Sequence, residues 1–273
     1  MANLISMAGR GKRFDTQGYM LPKPLIPVMG QPMVWRVIDS LPPSDKWVFI
    51  VRQEHIDDYK IDEVIKQKVP NAIITVDKDL LGGASIFCAE QYFDADEPVF
   101  IAGCDNGFVF DDATFKAAQD EADLVLWTYT KDQRLRDNPK SWGYCVLGED
   151  GKTITDMSVK IPVSDDPFYD HAVVATFWLK SAKVLYEAIR LMMVKEIKTN
   201  NEYYLDNLPL VMNMLEKKSI IFDVDLYVGW GTPEELHKFD HIKHHWDVGQ
   251  LEKLGFTPEV LQAWKTYFGG LRD

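Results

Sequence analysis

The chain has 273 residues, of which 46% are hydrophobic and 26% are charged, proportions that are ordinary for a folded globular protein. Its formal net charge of −12, from 30 basic and 42 acidic side chains, argues against a nucleic acid as partner, because a phosphate backbone requires a basic surface. No apolar run approaches the roughly 20 residues of a membrane span and no segment has the pattern of a signal peptide, so we expect a cytoplasmic protein without membrane contact.

The first half of the chain alternates short apolar runs with amphipathic segments. Apolar residues lie three, four and eight positions after Ile61, a spacing that predicts a helix over His55–Val69. Because strands that alternate with helices need crossover connections, this half predicts an α/β fold with a Rossmann-like, open and mostly parallel sheet flanked by helices. The predicted strands are Leu4–Ala8, Trp47–Val51, Ala72–Val76, Pro98–Ala102 and Asp123–Thr130. The other predicted helices are Met33–Leu41, Ala84–Tyr92 and Asp111–Glu121.

The second half of the chain has a different pattern. The run Gly148-Glu149-Asp150-Gly151 is typical of a turn, so we expect a β-hairpin of Tyr144–Leu147 and Thr153–Met157. A helix is predicted from Pro233 onward, with Thr232 as its N-cap and Glu235 completing a capping box. The remaining predicted elements are strands over Ala172–Leu179 and Ser219–Tyr227, a helix over Ser181–Lys195 and an amphipathic helix from Tyr204 to Leu215.

A basic, glycine-containing loop follows the first predicted strand. Ligands of open α/β sheets bind at the carboxyl ends of the strands, where this loop begins. Gly9 and Gly11 let the backbone approach an anion. Arg13 offers a planar fork for phosphate oxygens, and Lys23 adds a point charge. The two segments read Met7-Ala8-Gly9-Arg10-Gly11-Lys12-Arg13-Phe14 and Leu21-Pro22-Lys23-Pro24-Leu25-Ile26-Pro27-Val28.

These two segments resemble the sugar-phosphate nucleotidyltransferases, above all the capsule- and lipopolysaccharide-type members. The matching stretch runs from Met7 to Met33, includes Gly18-Tyr19, and belongs to a weaker similarity over roughly residues 1–240. The resemblance implies a nucleotidyltransferase domain over residues 1–240, with a nucleotide-binding half at 1–130 and an acceptor-binding half at 131–240. A helical extension at 241–273 is expected to cover the domain or to form a homodimer contact.

The resemblance also implies which residues bind an NTP, expected to be CTP, UTP or dTTP. The segment that reads the nucleobase through its backbone corresponds to Gly82, Gly83 and Ala84. Asp105 corresponds to the aspartate that holds Mg²⁺ on the phosphates, since a hard cation prefers carboxylate oxygen. The residues expected around the phosphates are Ala8, Gly9, Gly11 and Lys12, with Arg13 and Lys23 in catalytic roles.

The resemblance also implies which residues bind the acceptor and the metal, and this sequence departs from the family pattern at two positions. Lys160 corresponds to the lysine that grips the phosphate of the acceptor, but the acid that relatives carry just before it is replaced by Val159. A second metal-binding aspartate is replaced by Gly229, and Asp225 is the expected substitute, with Asp223 as the alternative. The acceptor pocket is expected to include Asn201, Glu202 and Tyr203, with helix capping as the alternative role of Asn201.

The implied reaction is attack of an acceptor phosphate on the α-phosphorus of an NTP, with release of pyrophosphate and Mg²⁺ as cofactor. A sugar 1-phosphate is the first expectation for the acceptor. A phosphocholine-like or phosphonate acceptor used with CTP is the alternative, because aromatic faces can hold a quaternary ammonium. A glycosyltransferase that reads Asp223-Val224-Asp225 as a metal motif, and a non-catalytic nucleotide sensor, remain as other hypotheses. The aromatic residues in question are Trp142, Phe168, Tyr169, Trp178, Tyr203 and Tyr204.

Overall fold

The computed structural model describes residues 1–78 and 82–270, which form an α/β fold around a nine-stranded sheet. The strands are β1 Ala2–Ser6, β2 Pro27–Val28, β3 Gln31–Pro32, β4 Lys46–Val51, β5 Ile73–Val76, β6 Val99–Ala102, β7 Asn106–Val109, β8 Leu124–Tyr129, β9 Gly143–Leu147, β10 Ile154–Val159, β11 Ala172–Leu179, β12 Ser219–Asp223 and β13 Leu226–Gly229. The α-helices are α1 Lys12–Asp15, α2 Met33–Ser40, α3 Gln53–Tyr59, α4 Ile61–Lys68, α5 Asp112–Glu121, α6 Gln133–Asp137, α7 Ala182–Val194, α8 Leu208–Met214, α9 Pro233–Asp247 and α10 Pro258–Gly270. The 3₁₀ segments are Lys23–Leu25, Gly83–Tyr92, Pro139–Ser141, Pro167–Tyr169, Leu205–Asn207 and Leu251–Leu254.

The large sheet has a parallel part and an antiparallel part. Its main path runs β10-β9-β11-β6-β1-β4-β5, and β8 pairs with both β11 and β12. Strands β6, β1, β4 and β5 are parallel, as are β8 and β12. Strand β11 runs antiparallel to its neighbours, and β9 and β10 form the predicted hairpin. The predicted α/β class with its flanked, mostly parallel sheet is therefore confirmed.

A β-bulge in β11 joins the two parts of the sheet. The register with β8 shifts between Val173 and Phe177, and Ala175 between them has φ 54° and is exposed within an otherwise buried strand. Such a bulge bends its strand and increases the local twist. Ala172 consequently pairs with β9, whereas Phe177 pairs with β6, so one strand spans the predicted nucleotide-binding and acceptor-binding halves.

The core consists of two apolar layers, one on each face of the sheet. Successive side chains of a strand point to opposite faces, and Ile5 and Leu4 of β1 accordingly belong to different layers. The layer on the Ile5 side includes side chains from α2, α4, α5, α9 and α10. The layer on the Leu4 side includes side chains from the 3₁₀ segment Gly83–Tyr92, α7 and α8. With apolar cover on both faces, the central strands are buried along almost their whole length.

Four predicted elements differ from the structure. The helix predicted from Tyr204 to Leu215 is the 3₁₀ turn Leu205–Asn207 followed by α8. The predicted helix over His55–Val69 is two helices, α3 and α4, because Lys60 between them has φ 53°. The predicted helix Ala84–Tyr92 is a 3₁₀ segment. The predicted strand Ser219–Tyr227 is two strands in different sheets, since the backbone N–H of Val224 still bonds to β8 while that of Asp225 bonds to Val109 of β7.

The C-terminal helices pack onto the domain. Helix α9 continues through the boundary expected between residues 240 and 241, and its Phe239 contacts the rings of Trp264 and Tyr267 in α10. Tyr267 is buried against Gly107 of β7, where an added Cβ would lie 2.9 Å from its Oη. The segment thus covers the strand that follows Asp105, which is the first of its two expected roles; the homodimer contact stays a prediction.

Candidate nucleotide and acceptor site

A large cleft lies at the carboxyl ends of β1, β4 and β6. Its volume is about 780 Å³, within the range of sites that enclose a small molecule of nucleotide size. The expected base-reading and phosphate-binding segments meet here, together with Arg52 from the end of β4, Asp77 from the end of β5, and Glu202. The lining residues are Ser6, Met7, Ala8, Gly9, Arg10, Gly11, Lys12, Lys23, Pro24, Arg52, Asp77, Gly82, Ser85, Gly103, Cys104, Asp105 and Glu202.

The basic loop is fixed by buried contacts at both of its ends, whereas its charged side chains are exposed. The N–H of Met7 bonds to Ile50 of β4, and Phe14 is buried with an edge-on contact to Tyr19 at 5.0 Å. This anchor leaves the neighbouring side chains of Lys12 and Arg13 exposed. Arg13 lines a recess beside the main cleft, together with Gly11, Lys12, Phe14, Lys23 and Gly231.

Lys23 and Asp105 form an ion pair in the cleft. Lys23 Nζ lies 2.6 Å from Asp105 Oδ2, with both side chains about one-fifth exposed. Burial lowers the pKa of Lys23, but the adjacent Asp105 carboxylate outweighs it, and the pKa is raised above its ordinary value. Lys23 is therefore fully protonated at neutral pH. Sequence reasoning found both residues but not their contact, which depends on the 3₁₀ turn Lys23–Leu25 meeting the end of β6.

A second carboxylate, that of Glu235, lies beside Asp105. A Cβ added at Gly231 would lie 2.9 Å from Asp105 Oδ2 and 3.3 Å from Glu235 Oε2. A Cβ added at Gly229 would lie 2.9 Å from Glu235 Oε1. Glu235 thus fills the space of the side chain that is missing at Gly229. The sequence indicated Glu235 only as a capping residue, and the lack of side chains at 229 and 231 was the signal that could have found it.

Helix capping and an arginine fix the position of Glu235. Thr232 Oγ1 accepts the N–H of Glu235 at 3.2 Å, so the predicted N-cap is confirmed. Arg134 Nη1 lies 3.9 Å from Glu235 Oε1, while the same guanidinium binds Asp132 at 2.8 Å and the carbonyl of Tyr227 at 3.0 Å. Burial raises the pKa of Glu235, and Arg134 acts against this shift while Asp105 adds to it.

The structure does not bring Asp225 to Asp105. In the two-stranded ribbon of β7 and β13, Gly229 pairs with Asn106 at one end and Leu226 pairs with Val109 at the other. Asp105 precedes the first end and Asp225 the second, so the length of the ribbon separates them. Burial raises the pKa of Asp225, and its charged neighbour Asp111 adds to the shift. Glu235, and not Asp225, is the carboxylate that the structure places beside Asp105.

The Asp-x-Asp spelling at Asp223 and Asp225 does not form one site. Asp223 Oδ1 accepts the hydroxyl of Thr128 at 2.7 Å and lies 2.9 Å from His171 Nδ1, on the large sheet. Asp225 lies between β12 and β13, and its N–H bonds to the carbonyl of Val109 at the end of β7. Across residues 1–78 and 82–270, no three His, Cys, Asp or Glu side chains are grouped as a metal cluster. Two carboxylates still suit Mg²⁺, which commonly takes one or two carboxylates and completes its shell with phosphate and water.

The segment expected to read the base and the segment expected to bind the acceptor are joined by a backbone hydrogen bond. The N–H of Gly83 bonds to the carbonyl of Tyr203 at 2.6 Å, and Gly82 has φ 58°. Asn200 and Asn201 both have positive φ in a tight turn closed by reciprocal bonds between Thr199 and Glu202, so Asn201 is a turn residue and not a helix cap. Ala84 is buried beneath this junction, and Glu202 lines the nucleotide cleft.

Lys160 directly follows β10, in the half of the chain expected to bind the acceptor. Its φ is 66°, and its N–H bonds to the carbonyl of Trp142 at 2.8 Å. Its Nζ lies 5.7 Å from the ring centre of Tyr204, over the ring face. Nearby is Asp206, which the sequence did not single out. Burial raises the pKa of Asp206 to about 6, and the positive charge of Lys160 acts against that shift.

An open sheet whose first strand runs into a basic glycine loop is the architecture of nucleotide-binding α/β domains. The chain belongs to the family of MobA-like NTP transferase domains, whose pattern matches residues 4–189. This match confirms, at the level of the family, the resemblance to nucleotidyltransferases. No helix of the described residues has the length and apolar character that crossing a membrane would require.

The chain is similar in sequence to one curated protein and in fold to several solved structures. The bifunctional protein GlmU of Methanococcus maripaludis is 26% identical over 157 residues, which are 56% of this chain and 34% of that protein, so the chain spans about a third of the length of this relative. A nucleoside-diphosphate-sugar pyrophosphorylase of Vibrio cholerae RC9 has a similar structure, with TM-score 0.69, 18% identity, and 87% and 98% of the two chains covered. The inositol-1-phosphate CTP transferase of T. maritima has TM-score 0.68 and 17% identity, with 100% of this chain and 98% of that chain covered.

Proposed function

We propose that this protein joins an NTP to a phosphorylated small molecule, in the first place a sugar 1-phosphate, and releases pyrophosphate. The observation that carries the proposal is that Lys23 and Asp105 line a nucleotide-sized cleft together with Gly82 and Glu202, while Arg13 lines the recess beside it, which Lys23 also lines. The cationic groups suit a triphosphate, and the backbone and carboxylate groups suit a base. Family membership supports the same reaction class.

The chemistry assigns a role to each cation. A phosphate oxygen of the acceptor attacks the α-phosphorus, the bond to the β-phosphate oxygen breaks, and pyrophosphate leaves. Because the attacking phosphate is already an anion near pH 7, no general base is required, and the barrier comes from anion repulsion and charge build-up. Arg13 and Lys23 lower this barrier on the triphosphate, and Lys160 orients the attacking phosphate.

Asp105 and Glu235 are the residues that would hold Mg²⁺, since both carboxylates face Gly231 at the edge of the recess that Arg13 and Lys23 line. When bound, the ion supplies further positive charge for the phosphates. The Lys23–Asp105 pair holds the lysine beside the same carboxylate, so Lys23 is positioned for the phosphates before the nucleotide arrives.

The acceptor half favours a hydroxylated phosphate over a quaternary amine. Several aromatic faces that could hold a quaternary ammonium already carry a cation of the protein itself. Trp178 is buried in the core, and the Trp142 ring makes edge-on contacts with Tyr129 and Tyr227. The cation–ring pairs are Arg136–Phe168 at 4.1 Å, Lys198–Tyr203 at 5.0 Å and Lys160–Tyr204 at 5.7 Å.

A CTP-dependent reaction on a non-sugar phosphate is the second candidate. Its support is the similarity over the whole chain to an enzyme described as an inositol-1-phosphate CTP transferase. An inositol phosphate is a polyol phosphate. The acceptor in this candidate therefore also carries hydroxyl groups and differs from a sugar 1-phosphate only in its ring. A phosphocholine-like acceptor has no comparable support.

The test is pyrophosphate release with Mg²⁺ for CTP, UTP, dTTP, ATP and GTP against hexose 1-phosphates, inositol 1-phosphate, phosphocholine and aminoalkyl phosphonates. We expect release with one NTP and one hydroxylated phosphate. Release with phosphocholine alone would reverse the preference for hydroxyl groups. Nucleotide binding without release for any pair would contradict the transferase proposal and favour a nucleotide sensor.

A further inference from the structure

Asp206 is brought to the acceptor side by a short 3₁₀ turn. The turn Leu205–Asn207 follows directly on the segment that bonds to Gly83. A Cβ added at Gly143 would lie 2.6 Å from Asp206 Oδ2, closer than any real Cβ contact. The missing side chain of Gly143, the first residue of β9, is therefore what admits the Asp206 carboxylate to this face of the hairpin.

Position 159 faces the same side of the hairpin as Asp206. Gly143 of β9 pairs directly with Val159 of β10. Directly paired residues of antiparallel strands project to the same face of the sheet. An acid at position 159, where the resemblance leads one to expect it, would therefore point to the side on which Asp206 lies. Asp206 supplies from another element the carboxylate that the Val159 departure removes.

The Asp206 carboxylate accepts a hydrogen bond from its own backbone N–H. Among the residues that the structure describes, no side chain donates to it and no cation lies within 4 Å of it. Lys160 is near enough to affect its charge but is not paired with it. A poorly solvated carboxylate without a side-chain partner is costly for the folded state, and such groups concentrate where a ligand completes the contact.

We propose that Asp206 is a specificity-determining residue that accepts hydrogen bonds from hydroxyl groups of the acceptor, which is therefore a phosphorylated polyol such as a sugar or cyclitol phosphate. The inference deepens the proposed function and rests on it for the identity of the bound molecule as the acceptor. Lys160 holds the phosphate, and Asp206 reads a hydroxyl group beside it. A hydroxyl suits the position better than a second cation, because the positive charge of Lys160 already acts on Asp206 without pairing with it.

The test measures binding separately from turnover. Isothermal titration with glucose 1-phosphate, inositol 1-phosphate, phosphocholine and inorganic phosphate is carried out on the wild-type chain, Asp206→Asn and Asp156→Asn. Asp156 is exposed on β10 of the same hairpin and is the matched control. Asparagine keeps the shape of Asp206, so folding is preserved, and a circular dichroism melt verifies this for each variant.

We expect the wild type to bind one hydroxylated phosphate more tightly than inorganic phosphate. We expect Asp206→Asn to weaken that binding about tenfold to a hundredfold, the range for a hydrogen bond to a charged group. Binding of inorganic phosphate is expected to be unchanged, and Asp156→Asn is expected to match the wild type. The double variant Asp206→Asn/Val159→Asp, which returns a carboxylate to the same face, is expected to recover part of the loss.

Three results would overturn the inference: an Asp206→Asn variant that binds every phosphate as the wild type does, preferential binding of phosphocholine, or no hydroxylated phosphate bound more tightly than inorganic phosphate. Failure of the proposed function is distinguishable from these. In that case a hydroxylated phosphate binds in an Asp206-dependent manner, but no pyrophosphate is released with any NTP.

Discussion

The carboxylate of Glu235 occupies the place of the side chain that Gly229 lacks. A Cβ at Gly229 would lie only 2.9 Å from Glu235 Oε1, so a larger residue at 229 and the present position of Glu235 are mutually exclusive. Asp206 and Gly143 have the same relationship, with 2.6 Å between an added Cβ and Oδ2. At both positions where the resemblance leads us to expect an acid, a glycine lies on the same strand or on the paired strand. The space left by that glycine is occupied by a carboxylate from another element.

We expect Glu235→Gln to weaken Mg²⁺-dependent binding of the nucleotide by about tenfold to a hundredfold, because one of two carboxylates at the proposed metal site would lose its charge. The measurement is titration of the NTP with and without Mg²⁺, so the readout is the metal dependence of affinity and not turnover. Glu234→Gln is the matched control, since Glu234 is the preceding residue and bonds to Gln17. Equal Mg²⁺ dependence in wild type and Glu235→Gln would contradict the assignment.

We expect Arg13→Ala and Lys23→Ala each to lower kcat/KM for the NTP by about 10²- to 10³-fold, the usual loss when a charge-stabilising donor is removed. Lys23→Ala also leaves Asp105 without its ion-pair partner, so a loss of thermal stability is expected for this variant and not for Arg13→Ala. Steady-state kinetics and melting curves measure the two effects. Lys66→Ala, on an exposed face of α4, is the control. Near-full turnover in either variant would remove that residue from the mechanism.

We expect Gly83→Ala to disturb the junction between the base-reading and acceptor segments. An added Cβ would lie 2.7 Å from the carbonyl of Tyr203 and from the Leu205 side chain, so the backbone bond between Gly83 and Tyr203 must lengthen. Overpacking of this kind costs about 1–3 kcal/mol. The melting temperature should fall, and KM should rise for both substrates. Gly269→Ala, where an added Cβ meets nothing within 4 Å, is the control. A rise in KM for only one substrate would contradict a shared junction.

The raised pKa of Asp206, about 6, predicts a pH-dependent difference in stability. Because the folded-state pKa lies above the unfolded value near 3.9, the folded protein binds more protons between these values, and the Asp206 contribution becomes less favourable as pH rises through this window. We expect Asp206→Asn to gain about 2–3 kcal/mol of unfolding free energy over the wild type between pH 4 and pH 7, with little further change above.

Urea unfolding of both proteins at several pH values measures this difference, and Asp156→Asn should show no such trend. A pH-independent difference would mean that Asp206 is ionised at its ordinary pKa. The same substitution is expected to weaken acceptor binding, so stability and binding would change in opposite directions.

Local sequence patterns determined the class of fold and predicted the nucleotide side of the site. Alternation of apolar runs with amphipathic segments requires crossovers and a mostly parallel sheet, and the structure confirms this class. The basic loop from Gly9 to Lys23 is contiguous, so glycine spacing and charge were enough to predict an anion site. The N-cap at Thr232 was also readable, since a cap depends on residues within one turn.

Only the tertiary structure decided which distant side chains share a site. The Lys23–Asp105 pair joins positions 82 residues apart. Arg134 of α6 lies 3.9 Å from Glu235 of α9. Asp225 was expected to substitute for the carboxylate missing at Gly229, but the ribbon of β7 and β13 places it at the end opposite to Asp105. The sequence indicated Glu235 only as a capping residue and did not single out Asp206, because the positions of both carboxylates depend on space left by glycines in other strands. Sheet pairing, not sequence distance, creates that space.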